Sequence, residues 1–412
     1  MNTLILQTHA YLTNKDLLIM HILIFEVNLN GHHSVYLEKI AEAYLKSGCK
    51  VTVVVSEKYK DDAVLISLTK NFAEIFEIVF MERVDCLSAM NFKFGDVGRE
   101  IGLWKLFRKI FKIICAKKTI DYIFLPYADY CLNAIGLLGS PFGKTSWGGI
   151  CMRPTFHFKS CGVVAPSPAI LHIKKLLFMR VLSINTLRKM FSIDELLAGY
   201  IQEHYSKLAD KLIYLPDPVE PSKNFDNVEL RQRYNIPEKV KLILVYGAID
   251  ERKGIFNLLD ALELSPVLGD WHALIVGRQS TSVHCELLTD RWVNLKQTSR
   301  IHVIDDFVTD EVEHHVFAMC DVVWVAYVGH YTMSGVVVRA GMYCKPVIAC
   351  KEGLIGWYAR VRGVGVICSN ASSELPDTIL TFSNILISEK MGHYGFRQFE
   401  KNSWNNALAL IL

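Results

Sequence analysis

The chain has 412 residues, 51% of them apolar and 21% charged, with a formal net charge of +3. That length is too great for one ordinary core and points to two domains of about 200 residues each. The composition is globular, which excludes a disordered or fibrous chain; the small net charge says little until its distribution is read.

Residues 1–19 match no element of a fold and carry no basic start, apolar run and small-residue cleavage site of a signal peptide. They read as an N-terminal extension, with Met1 and Met20 both open as the start of the folded chain. The apolar run Leu17–Leu29 has 13 residues and contains His21 and Glu26. A membrane span needs about 20 residues, and no other stretch does better, so an integral membrane protein is not expected. Eleven cysteines are scattered without a C-x-x-C pair or a His/Cys cluster at zinc spacing. They read as small buried side chains in a reducing cytosol, and neither a metal nor a cofactor is expected.

In chain order, the first strand is expected at His21–Val27. A helix over Val35–Ser47 follows and ends at Gly48, a natural C-terminal stop. Strands follow at Val51–Ser56, Ile78–Met81, Tyr122–Tyr127 and Leu212–Leu215. Pro216-Asp217-Pro218-Val219-Glu220-Pro221 is a stiff break and marks a domain boundary. Beyond it, apolar β-rich runs at Leu242–Ala248, Ala273–Gly277, Ile301–Asp305, Val322–Tyr327, Pro346–Ala349 and Val364–Cys368 alternate with amphipathic stretches. One of these puts Ile255, Leu258, Leu259 and Leu262 on one helical face. Continuous apolar strands alternating with helices make a parallel sheet covered on both sides. The expected organisation is therefore two Rossmann-like α/β domains, 20–218 and 219–388, binding ligands at facing carboxyl edges across a cleft. A terminal helix over 389–412 is expected to return to the first domain.

Three motifs carry the chemistry. In Leu244-Val-Tyr-Gly247-Ala-Ile-Asp250-Glu-Arg252-Lys253-Gly254-Ile255, a strand stops at a glycine and a short loop leads into a helix opened by two cations. Cations oppose a helix N-terminus, whose free N–H groups and dipole favour anions. Arg252 and Lys253 make sense there if a diphosphate binds, and a solvated loop with chance charges is the other reading. The second motif runs from Asp321-Val-Val-Trp-Val-Ala-Tyr327 to Tyr331-Thr-Met-Ser334-Gly335-Val336-Val-Val-Arg339-Ala340, ending in Pro346-Val-Ile-Ala349. Ser334-Gly335 opens a helix whose N–H groups approach a phosphate closely because glycine brings no side chain. The third motif, Asn28-Leu-Asn30-Gly31-His32-His33-Ser34, is a turn after the first strand; alone it is equally a plain βα turn.

The first two motifs resemble the G-x-x-x-x-x-K-G and E-x-F-G-x-x-x-x-E-A blocks of family-4-type GT-B glycosyltransferases, and the third resembles the glycine loop after their first strand. The resemblance covers nearly the whole layout, with its specific motifs in residues 244–367. It implies a GT-B fold and transfer of a sugar from a nucleotide-sugar donor, with retention of configuration and no metal. It places Lys253 on the donor diphosphate, with Arg252 standing in for an arginine that the family carries where this chain has Ala248. It places Gly31, Gly247, Gly254, Tyr331, Ser334, Gly335, Val336 and Arg339 around the donor. The family's paired glutamates, which hold sugar hydroxyls and ribose, align with Tyr331 and Arg339; Arg339 is read as a substitute diphosphate or ribose contact. A catalytically degenerate GT-B subunit that binds a glycan or a partner is the alternative. A nicotinamide-dependent dehydrogenase is disfavoured because no G-x-G-x-x-G follows the first strand. His32 and His33, with Asp129, Arg153 and His157, are candidate acceptor contacts.

Charge is unevenly placed. Residues 102–189 hold fourteen Lys/Arg against Asp121 and Asp129, a local charge of +12, so the rest of the chain carries −9. Within this block, residues 103–114 put apolar groups including Trp104, Phe107 and Phe111 opposite Lys105, Arg108, Lys109 and Lys112. That is the profile of a helix lying on anionic lipid, and also of a core-packed helix with a solvated basic face. A second basic amphipathic stretch runs over Ile173–Phe191. A glycan or glycolipid acceptor at the inner face of the cytoplasmic membrane is the expectation. No nucleic-acid-binding module is recognisable, so nucleic acid is not an expected partner.

Overall fold

The computed structural model describes residues 20–82, 95–368 and 374–412; the N-terminal extension expected over 1–19 lies outside them. Two parallel sheets form the frame. The first contains β1 (His21–Phe25), β2 (Lys50–Ser56), β3 (Phe76–Met81), β4 (Tyr122–Leu125), β5 (Ser146–Cys151), β6 (Leu187–Ser192) and β7 (Leu212–Tyr214), in the order β3-β2-β1-β4-β5-β6-β7. The second contains β8 (Lys241–Tyr246), β9 (Trp271–Val276), β10 (Ile301–Ile304), β11 (Val322–Val325), β12 (Val347–Cys350) and β13 (Gly365–Cys368), in the order β10-β9-β8-β11-β12-β13. By compactness the chain divides into one unit of residues 1–150 and 177–190 and another of 151–176 and 191–411.

The second sheet follows the sequence closely because its strands are buried on both faces: β8 is buried from Leu242 to Val245 and β9 throughout. Helices cover it through Ile255, Leu258, Leu259 and Leu262, which share one core with Trp271, Trp292 and Trp324. The C-terminal helix is two pieces, Ile385–Phe399 and Trp404–Ile411. The first packs on the helix Gly335–Met342, where Gly341 and Gly395 let the two backbones touch.

β5 and β6 are the strands that the sequence pattern passes over. β5 reads Ser-Trp-Gly-Gly-Ile-Cys, and its glycines are there for room: a Cβ on Gly148 would stand 2.7 Å from the Lys189 carbonyl oxygen. β6 carries Arg188 and Lys189 at its centre. The stretch Ile173–Phe191 is thus corrected from one amphipathic segment to the end of a helix, Ile170–Leu182, followed by a strand.

A second correction concerns the basic helix, which runs over Gly95–Cys115. Trp104, Phe107 and Phe111 are buried in their own unit. The Phe107 ring lies 4.6 Å from Phe25, Phe111 lies 5.6 Å from Phe142, and the Trp104 indole donates to the Gly139 carbonyl at 2.8 Å. The apolar face that was expected to meet lipid is committed to the protein core. Lys105, Arg108, Lys109 and Lys112 remain exposed on the opposite face. Among the described residues no helix is long and apolar enough to cross a membrane.

Candidate functional site

In the second sheet, β8 and β11 are neighbours although three elements separate them in sequence. The strand order reverses between them, and in doubly wound sheets ligands bind at the carboxyl ends of such a pair. The residues after β8 and β11 are stitched together there. Asp250 caps the turn Glu251–Lys253 by accepting the Arg252 N–H at 3.0 Å, and its second oxygen takes the Arg252 guanidinium at 2.6 Å. The Trp324 indole donates to the Lys253 carbonyl, and the Val328 N–H to the Arg252 carbonyl, both at 2.7 Å. Gly254 adopts φ +66°, and a Cβ there would meet the Ala326 carbonyl oxygen at 2.5 Å. Only glycine supplies both the left-handed backbone and the close approach.

This stitching aims Lys253. Its ammonium folds back to donate to the Tyr246 carbonyl at 3.0 Å and the Tyr327 hydroxyl at 2.9 Å, and it stands 4.1 Å above the Tyr327 ring. Gly247 keeps the space beside the ammonium open, since even a Cβ there would stand 3.5 Å away. Arg252, by contrast, is largely exposed and paired to Asp250. The His330 ring, 5.6 Å from Tyr327, is half-buried; burial lowers its pKa and the Lys253 and Arg252 charges lower it further, which keeps it neutral.

Ser334 caps the helix Gly335–Met342 by accepting the Val336 N–H at 3.3 Å, and Gly335 at its mouth is exposed. One acidic group already stands at this helix N-terminus. The Asp217 carboxylate lies 3.7 Å from where a Cβ on Gly335 would be. The Tyr331 carbonyl accepts the Leu354 N–H at 2.8 Å. Arg339 is turned away from a free-cation role: it forms an ion pair with Glu313 and donates to the Glu220 carbonyl at 2.7 Å, and the Tyr246 hydroxyl binds the same Glu313. Its expected diphosphate contact is corrected to a neutralised, largely buried bridge. Glu313 itself gives no signal in sequence, because Asp310, Glu311 and Glu313 look like ordinary acids in a helix's first turn.

The third motif lies in the first unit. Gly31 adopts φ +61° and precedes the helix His32–Lys46. His32 is exposed and His33 is buried between aromatic rings, 4.6 Å from Tyr127 and 5.9 Å from Tyr130. Asp129 sits half-buried between those two tyrosines in the turn Ala128–Tyr130. The sequence reading passes over Glu26, fully buried, with a carboxylate oxygen 3.4 Å from His33 Nδ1. Arg153 is exposed in the second unit. His157 is corrected: it is fully buried and bound to the Asp194 carboxylate at 2.8 Å, which makes it an internal pin with no face open to an acceptor. No group of His, Cys, Asp and Glu suited to a metal occurs among the described residues.

No family model matches the chain, and no curated protein matches it in sequence. Solved structures do match. A glycosyltransferase from Rickettsia africae is 17% identical, with a TM-score of 0.63 over 95% of this chain and 96% of its own. HepE from Anabaena, solved in complex with UDP and glucose, is 16% identical, with a TM-score of 0.64 over 95% and 98%. A putative UDP-N-acetylglucosamine 2-epimerase from Listeria monocytogenes is 14% identical, with a TM-score of 0.60 over 95% of each chain. Two parallel α/β sheets in doubly wound order, together with these likenesses over nearly the full length, give the chain the GT-B fold.

Proposed function

We propose that this protein is a glycosyltransferase that moves a sugar from a nucleotide-sugar donor to a glycan or glycolipid acceptor. The observation that carries the proposal is the Lys253 ammonium, held by the Tyr246 carbonyl and Tyr327 hydroxyl at the β8/β11 switch point. The open N-terminus at Gly335 follows the neighbouring strand. As the bond from the sugar to the diphosphate breaks, negative charge grows on the leaving oxygen. A fixed ammonium and free N–H groups stabilise that charge without reorganising. Tyr246 and Tyr327 orient Lys253, and Arg252 adds an exposed, more mobile cation. Glu313, clamped by Arg339, puts a carboxylate beside the helix on which the family's ribose-binding acid is expected. HepE, of the same fold, was solved with UDP, which makes UDP-sugars the first donors to test.

Retention of configuration and independence of metal come with the resemblance. The anomeric form of the product tests the first, and activity in a chelator tests the second. A cytoplasmic, peripheral position on an anionic membrane rests on Lys105, Arg108, Lys109 and Lys112 alone, because the aromatic face is buried. Each cation near such a surface contributes about 1 kcal/mol, so sedimentation with phosphatidylglycerol vesicles that weakens steeply with salt is expected. The degenerate-subunit reading is favoured by one observation, the neutralisation of Arg339 by Glu313. The deciding experiment incubates the protein with UDP-, GDP-, ADP- and CMP-sugars. Released nucleoside diphosphate supports transfer or slow hydrolysis, an altered intact nucleotide sugar supports epimerisation, and binding without turnover supports the subunit.

A further inference from the structure

Glu26 is out of place in an apolar sheet edge. It continues β1, donating its N–H to the Val54 carbonyl at 3.0 Å, and its side chain is fully buried. One carboxylate oxygen accepts the Asn28 N–H at 3.1 Å; the other has no hydrogen bond among the described residues but faces His33 Nδ1 at 3.4 Å. Burial drives the Glu26 pKa up, and His33 pulls it part of the way back. A carboxylate kept at such a place needs a proton on the facing nitrogen. That fixes the neutral imidazole as its Nδ1–H form, leaving Nε2 with a lone pair. Nε2 makes no hydrogen bond among the described residues and is not one of the buried unpartnered atoms, so it keeps access to solvent.

The surroundings say what it would meet. β1 and β4 are the switch-point pair of the first sheet, and His33 and Tyr127 follow them. The titratable groups set against His33 are Glu26 from the β1 edge, His32 on its own helix, and Tyr127 and Tyr130 from the β4 edge. Aromatic faces beside one neutral hydrogen-bond acceptor suit a saccharide, whose C–H faces lie on rings and whose hydroxyls need an acceptor. We propose that Glu26 and His33 form the hydroxyl-recognising element of the acceptor site: Glu26 is a positioning residue that holds the tautomer, and His33 Nε2 accepts a hydrogen bond from a saccharide hydroxyl. The proposal rests on the glycosyl-transfer reading.

Its test is arranged to fail separately from that reading. Long-range ¹⁵N–¹H spectra of the imidazoles give the His33 tautomer without any turnover. Wild type is expected to show Nδ1–H. Glu26→Gln, whose amide donates to Nδ1, is expected to show Nε2–H. Methyl β-glucoside, methyl α-mannoside and N-acetylglucosamine serve as probes, added with UDP present. At least one is expected to shift the His33 Nε2 resonance in wild type and not in Glu26→Gln. In transfer assays, Glu26→Gln and His33→Phe should raise the acceptor KM about tenfold, the worth of one neutral hydrogen bond, with donor affinity and donor hydrolysis unchanged. The wild-type acceptor KM should also rise as the imidazole titrates to its cation at low pH. His33→Phe keeps the ring contacts with Tyr127, so a folded variant remains for comparison. An Nε2–H tautomer in wild type, no shift with any probe, or a parallel loss of donor hydrolysis would overturn the proposal.

Discussion

Replacing Gly254 by alanine tests how the donor loop is built. The left-handed backbone at φ +66° costs an alanine about 1 kcal/mol. The new methyl would also stand 2.5 Å from the Ala326 carbonyl oxygen, a contact between two stretches of main chain that no rotamer relieves. Overpacking of that kind costs about 1–3 kcal/mol, for a total of about 2–4 kcal/mol. At about 2–4 °C per kcal/mol for a unit of this size, the melting temperature should fall by about 5–15 °C. Gly329 is the control. It adopts φ +67° in the same unit, with nothing within 4 Å of a Cβ, so Gly329→Ala carries only the backbone term. Urea unfolding of both variants separates the contact from the strain. Relief of the clash should also loosen the Trp324 and Val328 bonds that hold Lys253, so nucleotide-sugar affinity should drop in Gly254→Ala alone. Equal stability loss in the two variants would refute the close-approach argument.

Further predictions concern charge. Asp217→Asn removes an acid beside the Gly335 helix mouth and should tighten UDP binding severalfold at low ionic strength, measured by titration calorimetry. Arg339→Met leaves the Glu313 carboxylate unpaired and should destabilise by about 3 kcal/mol; adding Glu313→Gln should recover most of it, as chemical denaturation would report. Burial raises the folded-state pKa of Glu26 above its ordinary 4.5. The contribution of the protonated group is therefore complete below about pH 4.5 and is lost as pH rises through the folded-state pKa. Glu26→Gln should accordingly gain stability relative to wild type with rising pH, and a pH-independent difference would contradict the assignment.

The donor loop was legible because its parts are contiguous: Gly247, Lys253 and Gly254 sit in one short segment between a continuous apolar strand and a helix. Tyr327 and Asp217 were not, since only the fold brings them to Lys253 and Gly335. β5 and β6 were hidden by glycines that make room for neighbours and by Arg188 and Lys189, which break the apolar pattern. Periodicity located the apolar face of Gly95–Cys115 but not what covers it; Phe25 and Phe142 do, and a hydrophobic stripe looks the same whether lipid or protein lies against it. His157 and Asp194 stand 37 residues apart, so their buried pairing leaves no local trace.

The central claim is that a nucleotide sugar binds with its diphosphate on Lys253, and titration calorimetry of UDP and UDP-glucose into wild type and Lys253→Met tests it most directly. A charge-assisted hydrogen bond is worth about 1.5–3 kcal/mol, so the account expects saturable binding by wild type, weakened about tenfold to a hundredfold in the variant. Equal affinity in the two proteins, or no binding by wild type of these or of GDP-, ADP- and CMP-sugars, would contradict it.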